Sequence, residues 1–337
     1  MNTRPGIIGW RMIAIVAVLL LASTAPAQTF RNRDELVKQI NAGVTVLRYT
    51  GTAGELYIDI RIDIRRDTSI DFAGATVKVR TFGEEPAFDV RGATFTARNY
   101  TSITHSKNWF ARADNGEIVL RKFNHRGTRG IFVPRGVANL IGGVSNTREY
   151  GLYGGSIDRG DSYTAKLYIE NVKFASTEPN GETPVRLMGA WGDFVRCTFD
   201  SSAQTGTRKE SAQVRYGVAG KSINFADCEA KSSMSVKPLN TGEAGAETLA
   251  KYMAYSKRVP LIVNFNFGSV RGYVQVEGST TATWHRTAFT GADPRGIGGN
   301  TAITTGWIAG TRGKAFANSC EWGMWPRKGD GGVVVKP

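Results

Sequence analysis

Cysteine and histidine are both scarce in this chain of 337 residues, which contains three of each. Cys197, Cys228 and Cys320 are too few for a disulfide framework, and none lies in a CxxC motif or a Cys/His cluster with metal-ligand spacing. The histidines are widely separated, which argues against a Ser/His/Asp triad. Neither GxxxxGK[ST] nor a strand-led GxGxxG occurs, which excludes the usual nucleotide sites. The cysteines are therefore expected to be small core residues.

Acidic residues are also under-represented, with 29 Asp and Glu against 43 Lys and Arg, so that the net charge is +14. A cationic chain attracts anionic partners through its long-range field. The chain is 41% hydrophobic and only 21% charged, and it contains 40 glycines against 11 prolines. This composition provides enough apolar material for a folded core and excludes wholesale disorder.

The chain has no hydrophobic run long enough to span a bilayer. The longest, Met12–Ala22, is about half of the roughly 20 residues required, and it follows Arg4 and Arg11 and precedes Ala25-Pro-Ala27. This order predicts a cleaved signal peptide over 1–27 and a secreted or periplasmic mature chain, 28–337, without a membrane span. An exported cationic protein meets acidic polysaccharides far more often than nucleic acid. We therefore predict an acidic polysaccharide partner and no nucleic acid; the oligomeric state is left open.

Short β-branched runs that alternate apolar and polar residues dominate the mature chain and predict strands. Two segments differ. Asn32 followed by Glu35 resembles a capping box, with Leu36, Val37 and Ile40 on one face, and predicts a short helix near 32–40. Residues 243–256 are amphipathic and helix-forming, and predict a helix inserted in a loop.

Six-residue units with apolar ends and a small fourth residue recur along the chain. A parallel β-solenoid with loops of variable length produces such irregularly spaced repeats. The fourth places include Val172, Cys197 and Cys228, which are expected to stack inside the solenoid as free thiols and an apolar neighbour. The eight units are Phe72–Val77, Val90–Phe95, Leu152–Ile157, Ile169–Phe174, Phe194–Phe199, Phe225–Ala230, Trp284–Phe289 and Ala317–Trp322.

Four of these stretches carry a resemblance to a known family. Asp34–Ile40, Val44–Val46, Ser69–Val77 and Asp193–Phe199 resemble the right-handed parallel β-helix of the pectin-lyase-like superfamily. The resemblance covers nearly the whole mature chain and concerns repeat style, not an active-site signature. It implies an all-β fold, namely a single right-handed parallel β-helix with a short N-terminal capping helix.

Members of that superfamily include polysaccharide lyases, polygalacturonase-type hydrolases, phage tailspikes and adhesins without enzymatic activity. The resemblance thus implies a carbohydrate-active protein. Among the lyases, chondroitinase B and related alginate lyases use a lysine and an arginine with calcium, and pectate lyases use an arginine beside calcium-binding aspartates. A calcium cofactor is left open here, because the chain shows no readable cluster of acidic ligands, and no metal-ligating residue is predicted.

Three cations, Arg186, Arg215 and Lys237, each stand next to apolar residues in successive predicted strands. Alternation is expected to turn the apolar neighbours inward and the cations outward, which would align them as a basic stripe. Such a stripe suits β-elimination at a uronate, with Arg215 and Lys237 sharing the proton transfers and Arg186 neutralising the carboxylate. The predicted substrate-binding residues are Tyr216, Lys221 and Trp191.

Two alternatives stay open beside this lyase hypothesis. A polysaccharide-binding or adhesin-type β-helix would use the same basic stripe for affinity alone, or the three cations would be merely solvated side chains of a basic protein. A glycoside hydrolase would need two carboxyl groups, for which Asp158 and Asp161 are the nearest pair beside a repeat unit.

Overall fold

The computed structural model describes residues 26–205, 210–237, 254–255, 258–271, 274–277, 280–285, 287–290, 307–309, 314–318, 321–322, 327–328 and 333–335. The predicted signal peptide lies outside these residues apart from its last two. The predicted helix over 243–256 also lies outside them, except for Ala254 and Tyr255, which are helical. No helix in the described part of the chain has the length and apolar character needed to cross a membrane.

The predicted N-terminal helix is confirmed as α1 (Arg33–Asn41). Asn32 caps it by accepting a hydrogen bond of 2.9 Å from the backbone N–H of Glu35, and the Glu35 carboxylate accepts one of 2.7 Å from the Arg31 N–H. Leu36 is buried against the strands. The helix ends before Gly43, whose φ of +83° suits glycine and whose N–H closes the last turn on Ile40. The predicted capping helix therefore covers the N-terminal end of the hydrophobic core.

The remainder of the described chain consists mainly of strands joined by turns, and the strands are arranged in three rows. Row A contains β4 (Ile62–Ile64), β7 (Pro86–Val90), β11 (Leu152–Gly154), β13 (Val185–Met188), β16 (Glu210–Arg215), β19 (Ser233–Lys237), β22 (Val274–Glu277), β25 (Trp307–Ala309) and β28 (Arg327–Lys328). Row B contains β1 (Gln28–Phe30), β2 (Val46–Tyr49), β5 (Thr68–Asp71), β14 (Ala190–Val195), β17 (Ile223–Ala226), β20 (Leu261–Asn266), β23 (Thr280–His285), β26 (Lys314–Asn318) and β29 (Val333–Val335). Row C contains β3 (Glu55–Ile58), β6 (Thr76–Val79), β15 (Thr198–Asp200), β18 (Glu229–Ala230), β21 (Ser269–Arg271), β24 (Ala288–Thr290) and β27 (Glu321–Trp322).

Four longer strands pass through more than one row. Strands β8 (Thr94–Thr104) and β12 (Ala165–Ser176) run through rows B and C, and β9 (Trp109–Gly127) and β10 (Ile131–Thr147) run through all three. Every strand pair among the described residues is parallel and joins a strand to the same row of the next layer. The predicted all-β, parallel architecture is confirmed. Apart from α1 and the helical residues Ala254, Tyr255 and Arg258, the described part contains one short 3-10 helix, Ile157–Arg159.

The turn from row B to row C contains a left-handed residue in most of the described layers, and beside Ala73 the following Gly74 is left-handed as well. Eight successive layers place a residue with φ between 50° and 58° at this junction: Ala73, Asn99, Lys122, Gly142, Asn171, Arg196, Asp227 and Phe267. Asn and Asp tolerate this conformation, whereas long or bulky side chains are strained in it. In most of these layers the residue after the turn faces inward, and its size varies from Cys197 and Cys228 to Tyr100 and Phe123, all of which are buried.

The small fourth place of the repeats is the inward residue directly after this turn. Val172, Cys197 and Cys228 follow the left-handed residue in consecutive layers, and the Cys197 N–H lies 3.4 Å from the Cys228 sulfur. All three are buried, and both thiols are free. The predicted stack of these residues is therefore confirmed. Cys320 lies outside the described residues.

The register separates true repeat units from chance matches. The units starting at Ile169, Phe194 and Phe225 are in register, as are the ends of those at Trp284 and Ala317. The assignment of Val90–Phe95 and Leu152–Ile157 as repeat units was wrong. Both begin in row A, so they do not cross the turn between rows B and C that the other units share. The search also missed Phe265–Val270, which fills the layer between those at Phe225 and Trp284.

Stacked aromatic side chains form two columns on the inward face of the later layers. Phe194 and Phe225 have ring centroids 5.1 Å apart, and Phe225 and Phe265 repeat that separation one layer on. In row C, Phe174 and Phe199 stack at 6.0 Å. Offset stacking of this kind adds to the free energy gained from burying the rings.

The same inward column becomes polar in earlier layers. Ser102, His125 and Ser145 occupy consecutive places in row C and are fully buried. The His125 Nε2 is 2.8 Å from the hydroxyl oxygen of Tyr100, whereas its Nδ1 and both serine hydroxyls have no hydrogen-bond partner among the described residues. A search for apolar-ended units could not find these layers.

Burial of His125 predicts an acid-sensitive fold. Desolvation lowers the pKa of His125 from its ordinary value of 6.5 to about 3, so the unfolded chain binds a proton that the folded chain does not. Above pH 6.5 His125 is neutral in both states and does not change the free energy of unfolding. As the pH falls from 6.5 toward 3, the free energy of unfolding decreases by about 1.4 kcal/mol per pH unit. Urea unfolding measured between pH 7 and 4.5 should show this slope. His125→Gln should reduce it, His105→Gln should retain most of it, and a flat profile for the native chain would contradict the prediction.

The left-handed turn predicts that one glycine substitution stabilises the protein. Lys122 is exposed with a φ of 50°, so Lys122→Gly should raise the free energy of unfolding by about 1 kcal/mol through relief of backbone strain. The neighbouring Arg121 lies within the strand, where glycine costs about 0.5 to 1 kcal/mol. Chemical denaturation of both variants should therefore give shifts of opposite sign, and two shifts of the same sign would argue against strain at the turn.

Candidate functional site

The three cations of the predicted stripe lie on row A but do not form one line. Leu187, Val214 and Val236 are aligned and buried, so the cations beside them face the other side of the strands. Arg215 pairs in register with Met188 and with Lys237, whereas Arg186 pairs with Gln213. The prediction of a single stripe was wrong. Arg186 lies between Val185 and Leu187. The sequence analysis aligned Val185 with Val214, whereas in the structure Leu187 is the register partner of Val214.

Arg215 is enclosed and not solvated. Its side chain is 4% exposed, and its Nη1 donates to the Ser235 carbonyl at 2.9 Å. Its Nη2 is 3.9 Å from a carboxylate oxygen of Glu210. The prediction that this cation faces solvent was wrong, because other parts of the chain cover this stretch of row A. The Lys237 side chain lies outside the described part.

Tyr216 is completely buried and does not face solvent, and its role in contacting substrate stays a prediction. It packs with Ile157, Met188, Tyr255 and Val259 in a second apolar cluster. The centroids of the Tyr216 and Tyr255 rings are 6.3 Å apart. Residues far along the chain thus cover the outer side of row A at this level, which alternation within a strand cannot reveal.

Arg186 belongs to an aromatic cluster that the sequence analysis did not find. Its Nη1 donates to the Tyr150 hydroxyl at 2.8 Å, and its guanidinium carbon lies 5.7 Å from the ring centroids of both Tyr150 and Tyr153. Phe132 and Trp109 continue the cluster, with ring centroids 5.2 Å apart. Phe132 and Tyr153 are register partners on neighbouring strands, so this cluster follows the outer side of row A.

Several described cations on or beside row A are neutralised by carboxylates. Asp89 is fully buried and contacts Arg112 at 2.9 Å and Arg91 at 2.8 Å. Burial raises the pKa of Asp89, but its hydrogen bonds and charge interactions with the two arginines outweigh this, so that the pKa is lowered. Arg129 is paired with Glu149 and lies 5.0 Å from the centroid of Trp109. Ion pairs within the protein therefore neutralise several of the cations on and beside row A.

Two predicted substrate-binding residues, Trp191 and Lys221, come together on row B. The Lys221 Nζ lies 4.8 Å from the Trp191 ring centroid, and the Lys166 Nζ lies 5.1 Å from the same centroid. The Lys166 Nζ is also 4.8 Å from the centroid of Tyr168. We call these four residues the basic-aromatic surface. None is buried, and no described carboxylate lies within 4.0 Å of either ammonium group.

A ladder of polar side chains runs beside the basic-aromatic surface in the same row. Asn224 donates to Asp193 at 2.7 Å, and Asn264 donates to Asn224 at 2.8 Å. The Ser222 hydroxyl donates to Asn224 at 3.2 Å. Because these residues come from successive layers, they hold one another in fixed rotamers on a flat face of strands.

The carboxylates considered for hydrolysis do not form a readable pair. Asp161 is exposed and accepts a hydrogen bond of 2.6 Å from Arg258, and the side chain of Asp158 lies outside the described part. Within the described residues, no group of three or more His, Cys, Asp or Glu side chains is placed to hold a metal ion. The calcium hypothesis therefore finds no ligand set there.

Comparisons of the chain with protein-family profiles, with curated protein sequences and with solved structures give no match.

Proposed function

We propose that this chain is an exported right-handed parallel β-helix of the pectin-lyase-like type that binds an acidic polysaccharide on its basic-aromatic surface. Three rows of parallel strands support the fold, since each row continues in register from layer to layer. The recurring left-handed turn between rows B and C supports it as well, because a coil needs the same bend in every layer.

The observation that carries the binding function is the pair of lysines on Trp191. Lys166 and Lys221 lie next to the same indole ring without a described carboxylate to neutralise them. Aromatic faces provide apolar contact for the C–H face of a sugar ring, and ammonium groups attract carboxylate or sulfate substituents. The two groups together match a sugar chain that carries negative charge.

The geometry favours this surface over row A. A cation already paired with a buried carboxylate gains little from an added anion, since the existing interaction must be weakened first. Arg112 is held by Asp89 and Arg129 by Glu149. Lys166 and Trp191 are register partners on strands about 4.8 Å apart, so an extended polyanion can contact both.

Removing the two lysines should weaken binding of a polyuronate. Lys166→Ala/Lys221→Ala should lower the affinity for polygalacturonate at least about tenfold at low salt, which corresponds to about 1.4 kcal/mol. The matched control Lys38→Ala/Lys231→Ala removes the same charge from exposed sites elsewhere and should lower it far less. Affinity electrophoresis over a salt series measures both.

Equal losses in the two double variants would show that only the overall field matters and would overturn the proposal. Binding without salt dependence, or a preference for neutral glycans, would do the same, because exposed charges are screened within about 10 Å at 0.1 M salt.

β-Elimination is a second candidate, favoured by the register pairing of Arg215 with Lys237. A general base must come within hydrogen-bond reach of the proton that it removes, and the Arg215 side chain is only 4% exposed. We therefore place binding ahead of catalysis.

Catalysis is tested by incubating the protein with polygalacturonate, alginate and chondroitin sulfate, with and without calcium. Because Arg215 is enclosed, we expect no ultraviolet absorbance from unsaturated uronates and no new reducing ends. Unsaturated products that disappear in Arg215→Ala would restore the lyase hypothesis. Reducing ends without unsaturation would favour a hydrolase and direct attention to Asp161.

A further inference from the structure

A polar groove opens on row C, separate from the basic-aromatic surface. It encloses about 370 Å³ and is lined by Arg126, Gly127, Thr128, Asn146, Arg148, Thr177 and Glu178. We call it the row C groove. Its size falls in the range of small-molecule sites, and none of its lining side chains is a large apolar group. Its chemistry therefore differs from that of an apolar ligand pocket.

Three successive layers build the groove. Arg126 pairs in register with Asn146, and the Arg148 N–H donates to the Gly127 carbonyl at 2.8 Å. The next layer adds Thr177, whose N–H donates to the Thr147 carbonyl at 3.2 Å. These backbone hydrogen bonds fix where the lining side chains start.

Gly127 is required at this place. Its φ is +99°, and a Cβ there would approach the Thr104 carbonyl oxygen to 2.1 Å. Any larger residue would force neighbouring layers apart.

Two guanidinium groups provide the positive charge. Arg126 is exposed and has no carboxylate within 4.0 Å among the described residues. Arg148 contacts Glu178 at 3.1 Å, and the two side chains are 59% and 49% exposed. An exposed ion pair of this kind contributes little to stability, so an incoming anion can replace the glutamate.

The uncharged lining completes the recognition chemistry. Thr128 and Thr177 contribute hydroxyls, and Asn146 contributes an amide that both donates and accepts. These groups match a ligand with several hydroxyls, while guanidinium groups bind carboxylates with two parallel hydrogen bonds. A small ligand that carries hydroxyls and one carboxylate satisfies both.

We propose that the row C groove binds one sugar acid unit, with Arg126 and Arg148 on its carboxylate and Thr128, Asn146 and Thr177 on its hydroxyls. The unit is either a free uronate or the end of an acidic oligosaccharide, which share this chemistry. Glu178 competes with the carboxylate for Arg148 in the empty groove.

Calorimetric titration of the whole protein with D-galacturonate and with D-galactose tests the proposal at low salt. Galacturonate should bind at least about tenfold more tightly than galactose. Arg126→Ala should reduce galacturonate affinity at least about tenfold. Glu178→Gln should increase it severalfold, because the competing carboxylate is removed. Arg121→Ala, a matched arginine on row B, should leave it unchanged.

Several results would overturn the proposal: equal binding of galactose and galacturonate, no response to Arg126→Ala, or weaker binding in Glu178→Gln. Inorganic phosphate binding as tightly as galacturonate would show an anion site without sugar recognition. A trigalacturonate arm distinguishes the two sources, because only an oligosaccharide end would give tighter binding for the trimer in this groove.

The proposal stands apart from polysaccharide binding on row B. Lys166→Ala/Lys221→Ala should bind galacturonate as the native chain does, and Arg126→Ala should keep its affinity for polygalacturonate within about twofold. Either proposal can therefore be overturned without overturning the other.

Discussion

Parallel register is the constraint on which the rest of this molecule depends. Because every strand pairs with the same row in the next layer, each inward side chain is covered by the residues in the same place above and below it. The column Phe194, Phe225 and Phe265 shows the result for large rings, and Val172, Cys197 and Cys228 show it for small residues. A change of volume in one layer must be matched by its neighbours, since close-packed interiors leave few voids.

The parts of the fold that could be predicted from the sequence are those that local chemistry decides. Asn32 and Glu35 specify the start of α1 through their own hydrogen bonds. The residue after the left-handed turn faces inward, and in three consecutive layers it is small, which made the stacked cysteines visible as a repeat. The layers of Ser102 and Ser145 were not visible, because a buried hydroxyl breaks the apolar pattern on which the search relied.

The candidate site was harder to predict, because it depends on register and on coverage from distant segments. Arg186 sits between apolar residues two positions apart, and either one fits an inward place. The burial of Tyr216 depends on Tyr255 and Val259, which lie about forty residues further along the chain. The composition shows that basic residues are in excess, but it does not show which of them are paired with carboxylates. Only the structure shows that Arg112 is paired with Asp89, whereas Lys166 and Lys221 lie next to an aromatic ring.

Strand β12 connects the two proposed binding sites within one rigid element. Its row B part carries Lys166, and its row C part ends at Ser176, beside the groove residue Thr177. It pairs with β10 on one side along nearly its whole length and with β14 and β15 on the other. An element held on both sides does not move when one site fills, so the sites are not expected to be coupled by a conformational change.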